Sequence, residues 1–169
     1  VRQSLLGALA AALVLAACAQ APAGGTVARA AAGGPSFRVR TLEGKTLTPP
    51  GPSDQPMVLY FMAAWCSSCA IPAGELAQVK KDYGPRAPTI LAVDVDPSDT
   101  ADDLRAFARG IKDADYDWAM DQGGAMVRAF GVKALDTTVI LAPGGRVAVR
   151  RDGPIRYPAL TQELDRLLR

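Results

Sequence analysis

Trp65-Cys66-Ser67-Ser68-Cys69 holds the two side chains of this sequence best suited to do chemistry. The cysteines stand three apart, directly after the apolar run Met57–Met62 and directly before a stretch with helical periodicity. A strand that hands a Cys-x-x-Cys to a helix start places the first sulfur beside unpaired backbone N–H groups and the positive end of the helix dipole. Both favour a thiolate. A thiolate attacks disulfides, and a second thiol one turn on can resolve the mixed disulfide. Cys66 and Cys69 are therefore candidate catalytic residues of a thiol–disulfide exchanger. Two blander readings compete, an inert structural disulfide and a soft-metal site such as Cu(I) on two thiolates. A bridge across so short a loop does little to staple a fold, so the pair reads as chemistry rather than rigidity.

The rest of the composition narrows the chemistry. No histidine occurs among the 169 residues, which excludes a Cys/His zinc site, a haem-attachment Cys-x-x-Cys-His and histidine activation of a nucleophile. No Thr-x-x-Cys is present either, and peroxide reduction is not expected. The formal net charge of +2 comes without a basic stripe, so nucleic-acid binding has no support. No cofactor and no metal is expected. Trp118 reads as a core residue, and Arg150 and Arg151 as a solvated strand end. Asp94 and Asp96 read as turn residues, since their spacing with Asp99, Asp102 and Asp103 fits no calcium loop.

Residues 1–17 have the pattern of an export signal: Arg2 gives a short positive region and Leu5–Leu15 is apolar or small throughout. The stretch is short for a membrane span. It ends in Leu15-Ala16-Ala17-Cys18, small residues before a cysteine, which resembles the bacterial lipobox. Lipidation of Cys18 would anchor the chain without spanning the bilayer and leave Cys66 and Cys69 as a pair with no stranded third thiol. Residues 18–36, mainly Ala, Gly and Pro, read as a flexible tether. The expected location is extracytoplasmic, on the periplasmic or outer side of a membrane.

A single domain is expected over 37–169. Phe37–Thr41 alternates like a strand and turns at Glu43-Gly44-Lys45 towards Thr46–Thr48, a hairpin. Pro49–Pro56 is a proline-rich loop. Met57–Met62 and Thr89–Val93 are continuous apolar runs of buried strands. Between them, Pro72, Leu76, Val79 and Tyr83 share a helix face. Ser98–Thr100 offers caps for a helix with Leu104, Phe107, Ala108 and Ile111 on one side. Tyr116–Ala119 is a short strand, and Ala125–Phe130 a short helix stopped by Gly131. Thr137–Leu141 and Val147–Arg151 flank Pro143-Gly144-Gly145, a hairpin signal. A helix from about Pro158 closes the chain, with Leu160, Leu164, Leu167 and Leu168 on one face. This order predicts an α/β fold: a central mixed sheet covered by helices on both faces.

That order, with Trp-Cys-x-x-Cys after the first core strand, resembles the thioredoxin fold, and within it the extracytoplasmic TlpA-like/ResA-like thiol–disulfide oxidoreductases, whose added N-terminal hairpin matches 37–48. The resemblance implies that Cys66 is an exposed attacking thiol and Cys69 a buried resolving one, forming a redox-active disulfide in turn. Trp65 would shield the pair and offer an apolar docking surface, with Ser67, Ser68, Asp136 and Thr137 as further active-site residues. It implies a monomer that exchanges electrons with exported protein thiols and is kept reduced by a CcdA/DsbD-type membrane thiol transporter.

Three departures from the family pattern stand out. Gly131-Val132-Lys133-Ala134-Leu135-Asp136-Thr137 places Asp136 where the family has a cis-proline, and a cis bond before a non-proline residue costs about 3 kcal/mol. A trans loop is expected. Tyr60 replaces the buried acid six residues before the first cysteine, with no lysine partner near Ala92. Pro72 stands where some relatives carry an acid one turn past the second cysteine, and Glu75 is a turn further on. Asp136 is then either a relocated carboxylate that disfavours the Cys66 thiolate and makes the protein reducing, or a loop cap. The alternative to an enzyme is a non-catalytic redoxin-like binding module or a Cu(I) carrier using the same two cysteines.

Overall fold

A computed structural model describes residues 37–48 and 54–169. The expected signal sequence, the expected lipidation site Cys18 and the expected tether lie outside the described residues, as does most of the proline-rich loop.

Six consecutive apolar side chains make β3 (Met57–Met62), buried along its whole length. Only a central strand covered on both faces can bury such a run. It sits in the middle of a five-stranded sheet of order β5-β4-β3-β6-β7. The parallel partners are β4 (Thr89–Asp94) and then β5 (Asp117–Met120); the antiparallel ones are β6 (Thr137–Leu141) and then β7 (Val147–Arg151). The expected N-terminal hairpin is a separate two-stranded sheet of β1 (Val39–Arg40) and β2 (Thr46–Leu47).

The helices divide between the two faces. Val58, Tyr60, Met62, Ile90, Ala92, Trp118 and Ile140 pack with α1 (Ala70–Tyr83), α2 (Ala101–Gly110) and α4 (Tyr157–Leu167) through Leu76, Leu104, Leu160 and Leu164. Leu59, Phe61, Leu91, Val93, Val139 and Leu141 pack on the other side with Val39 and with Met126 and Phe130 of α3 (Ala125–Phe130). Trp118 is a core residue, as expected, with Tyr116 stacked on it at 4.9 Å. No helix among the described residues is long and apolar enough to cross a membrane.

Local signals end the helices where the sequence places them. Thr100 and Asp103 form a reciprocal capping box at the start of α2, each accepting the other's backbone N–H. At α4 the cap comes from another helix: Glu75 of α1 accepts the Tyr157 N–H at 3.0 Å and the Arg156 guanidinium at 2.7 Å. That occupies the one acid on α1 near the cysteines.

Candidate active site

β3 ends at Met62, and the chain then turns through Ala63–Cys66 into a 3-10 turn, Ser67–Cys69, that runs on into α1. The helix thus opens with a tighter turn than its periodicity suggested, fixed by the Cys69 N–H to Cys66 carbonyl bond at 3.1 Å. Cys66 and Cys69 are joined as a disulfide, their Cα atoms 5.3 Å apart. The expectation of an exposed Cys66 is corrected. It is 6% exposed and Cys69 0%, because the bond draws its sulfur against the buried cluster of Tyr60, Met62, Ala63 and Ala73. Of the two, Cys66 is still the one that solvent touches.

The turn before the cysteines is held from β4 and the loop after it. The Ala64 N–H donates to Asp99 at 2.8 Å and to Asp94 at 3.2 Å, and the Trp65 indole N–H donates to Asp96 at 2.6 Å. Asp94 and Asp96 therefore do more than shape their own loop. Burial, together with the neighbouring charge of Asp99, pushes the Asp94 carboxyl up to about 6. Hydrogen bonds from the Ser98 backbone and Trp65 hold Asp96 below the usual carboxylate range. Trp65 stays 64% exposed, and Ile71 on the first turn of α1 is exposed too. Ser67 and Ser68 are exposed, the Ser68 hydroxyl 3.3 Å from the Cys66 sulfur and able to donate to a thiolate there.

Behind the pair lies a contact that sequence reasoning missed. The Tyr60 hydroxyl, fully buried, is 2.5 Å from Asp136 Oδ1 and 3.0 Å from the Cys69 carbonyl oxygen. Its single proton goes mainly to the shorter partner. Burial and the Asp136 hydrogen bond push the Tyr60 phenol well above its ordinary range. Asp136 is 8% exposed, and one of its carboxylate oxygens and both sulfurs all lie within 4.8 Å of one another. Its φ of +63° is one that Asp tolerates and a proline ring excludes.

The loop that presents Asp136 is pinned at both ends. Buried Thr137 donates its hydroxyl to the Ala134 carbonyl at 2.8 Å, so Thr137 rather than Asp136 ties this turn. Arg150 donates to the Gly131 carbonyl and to Asp152, each at 2.6 Å. Arg150 and Arg151 are exposed at the end of β7, as expected, and the Arg150 guanidinium in addition reaches back to the start of the Asp136 loop. The tyrosine six residues before Cys66, on the inward face of β3, was the available clue to the buried contact, since a buried phenol needs a partner.

Fold and site together define a thioredoxin-like protein with a paired-cysteine centre at the carboxyl end of its central strand. The chain belongs to the AhpC/TSA family, whose pattern matches residues 31–150. It is 34% identical over 119 residues to the mercury resistance operon ORF3 protein of Streptomyces lividans, covering 69% of this chain and 61% of that one. It is 27% identical over 113 residues to the thiol-disulfide oxidoreductase ResA of Bacillus thuringiensis subsp. konkukian, covering 67% and 64%. The chain thus spans less than two thirds of the length of these curated relatives. The exposed lipoprotein thioredoxin Etrx1 of Streptococcus pneumoniae superposes with a TM-score of 0.69 at 20% identity, over 79% of this chain and all of that one, a likeness of fold.

Proposed function

We propose that this protein is a membrane-anchored thiol–disulfide oxidoreductase that passes two electrons to disulfides of exported proteins. The observation that carries the reading is the Cys66–Cys69 bond at the head of α1, with both residues buried and Cys66 the less completely so. The name of the ResA relative supports the same reaction class. In the reduced state, the Cys66 thiolate attacks one sulfur of a substrate disulfide and expels the other as a thiolate. Cys69 then loses its proton and attacks Cys66 Sγ, which closes the 66–69 disulfide and releases the substrate's second thiol. Trp65 and Ile71, exposed beside the pair, supply apolar surface for the substrate chain.

Asp136 is the proton-handling group in this reading. Its carboxylate lies within 4.8 Å of the Cys69 sulfur, a span that one water would bridge to carry away the thiol proton, and its charge disfavours thiolates, which favours the disulfide and makes the protein a reductant. Lipid on Cys18 and a tether over 18–36 would hold the domain at the membrane, where a CcdA/DsbD-type transporter could return it to the dithiol. The lipoprotein named among the structural neighbours is in keeping with that arrangement.

Insulin reduction tests the reaction. Activity abolished by Cys66→Ser, with Cys69→Ala trapping a mixed disulfide, is the expected result. A wild-type protein that binds partners or Cu(I) yet reduces no disulfide is instead the non-catalytic binder. Incorporation of labelled palmitate into the wild type and not into Cys18→Ala tests the anchor.

A further inference from the structure

We infer that the reduced Cys66 and Cys69, together with Asp136, form a three-donor site for a thiophilic divalent cation of the zinc class. The Cys-x-x-Cys offers two thiols and the sequence no histidine, too few donors at that motif for a tetrahedral site. Tertiary structure supplies the third. Asp136 arrives from a loop some 70 positions downstream, and its carboxylate stands within 4.8 Å of both sulfurs, all three residues being buried.

The dimensions suit such an ion. Bonds of about 2.3 Å to sulfur and about 2.0 Å to oxygen in a tetrahedron separate neighbouring donors by roughly 3.5–3.8 Å. Once the disulfide is reduced, the sulfurs need only open to that spacing and the carboxylate oxygen close to it. Tyr60 holds Asp136 through Oδ1, and a carboxylate has lone pairs on both oxygens with which to ligate. A hydrogen bond of this kind fixes a ligating carboxylate in orientation. The mixed sulfur and oxygen donors favour zinc over Cu(I), for which two thiolates suffice and a carboxylate adds little. A fourth position remains for water.

Binding involves no electron transfer. Two S–H bonds are exchanged for two metal–sulfur bonds, and two protons leave if both cysteines start as thiols. The prior reduction needs two electrons from an external thiol or phosphine. Metal binding and disulfide exchange each require both sulfurs, so they exclude one another, and the ion would hold the dithiol out of circulation. The site stands whether or not the protein turns over substrate.

The test titrates the phosphine-reduced full chain with Zn2+ against a chromophoric chelator, and with Co2+ followed by absorption. Expected results are 1:1 binding with proton release, a tetrahedral Co2+ spectrum with sulfur charge-transfer bands, and no binding to the disulfide form. Asp136→Asn should weaken Zn2+ at least tenfold, and Tyr60→Phe about tenfold through loss of the orienting bond. Equal affinity for wild type and Asp136→Asn, binding by the oxidised protein, or no Zn2+ retained after reduction would each overturn the site. If the variants do not fold, the wild-type Co2+ spectrum decides: an octahedral or sulfur-free spectrum rejects it. Insulin reduction with metal-free protein reads the exchange reaction separately, so either proposal can fail alone.

Discussion

Tyr60 and Asp136, 76 positions apart in the chain, meet 2.5 Å apart beneath the Cys66–Cys69 disulfide. β3 contributes the phenol and the loop before β6 the carboxylate; the pairing of Tyr60 with Thr138 brings the two segments side by side. The acid that the family resemblance places on β3 is thus met from the neighbouring strand's approach, with a phenol as its support.

Removing the phenolic oxygen should destabilise the fold. In Tyr60→Phe, the Asp136 carboxylate and Cys69 carbonyl lose a buried donor, which costs about 1–3 kcal/mol. Urea denaturation of the oxidised protein should show a lower midpoint with unchanged slope. An unchanged midpoint would mean water replaces the hydroxyl and the contact contributes little.

Asp136→Asn should make the disulfide easier to reduce. With the carboxylate's charge removed from within 4.8 Å of both sulfurs, thiolates are less disfavoured. A rise in reduction potential of about 30 mV, equivalent to about 1.4 kcal/mol, is expected in equilibration with glutathione. A potential that stays put or falls would remove the charge of Asp136 from the account.

Stability should depend on pH through Asp94. Its folded pKa lies at about 6, above the unfolded value of 3.8, so the folded state binds the proton more tightly. The resulting stabilisation is fully present below pH 3.8 and is lost as pH rises through 6. Relative to Asp94→Asn, the wild type should therefore lose on the order of 1–2 kcal/mol between pH 4 and pH 7.5. Unfolding free energies at the two pH values check this; a difference that is flat, or that grows in favour of the wild type, contradicts it.

Arg150→Ala should loosen the Asp136 loop from its start. The guanidinium's bonds to Gly131 and Asp152 are partly exposed, so a cost of roughly 0.5–1.5 kcal/mol is expected. Faster amide hydrogen exchange across residues 131–136 than across β6 would locate the effect. Uniform exchange in the variant and the wild type would show that Thr137 alone holds the loop.

Much of this protein was legible before any fold was known. The unbroken apolar run Met57–Met62 determined a central strand, since no other placement buries six such side chains in succession. Cys66 and Cys69, placed between that strand and a helical pattern, marked the candidate redox pair. Ser98–Thr100 marked a helix start, where the structure adds Asp103 as the partner of Thr100, and Gly144 with Gly145 set their own turn. These are local signals, carried by periodicity, caps and punctuation within a few residues of the structure they specify.

Tertiary structure alone decided what surrounds the pair. Asp136 could be read as a loop cap or as a relocated acid, because nothing within a few residues of it says where its carboxylate points. Only the antiparallel pairing of β3 with β6 brings it to Tyr60 and to the sulfurs. The near burial of Cys66, the reach of Arg150 to Gly131 and the use of Glu75 as a cap for α4 share that origin. Each depends on segments far apart in sequence, and only their packing fixes how far apart the groups lie.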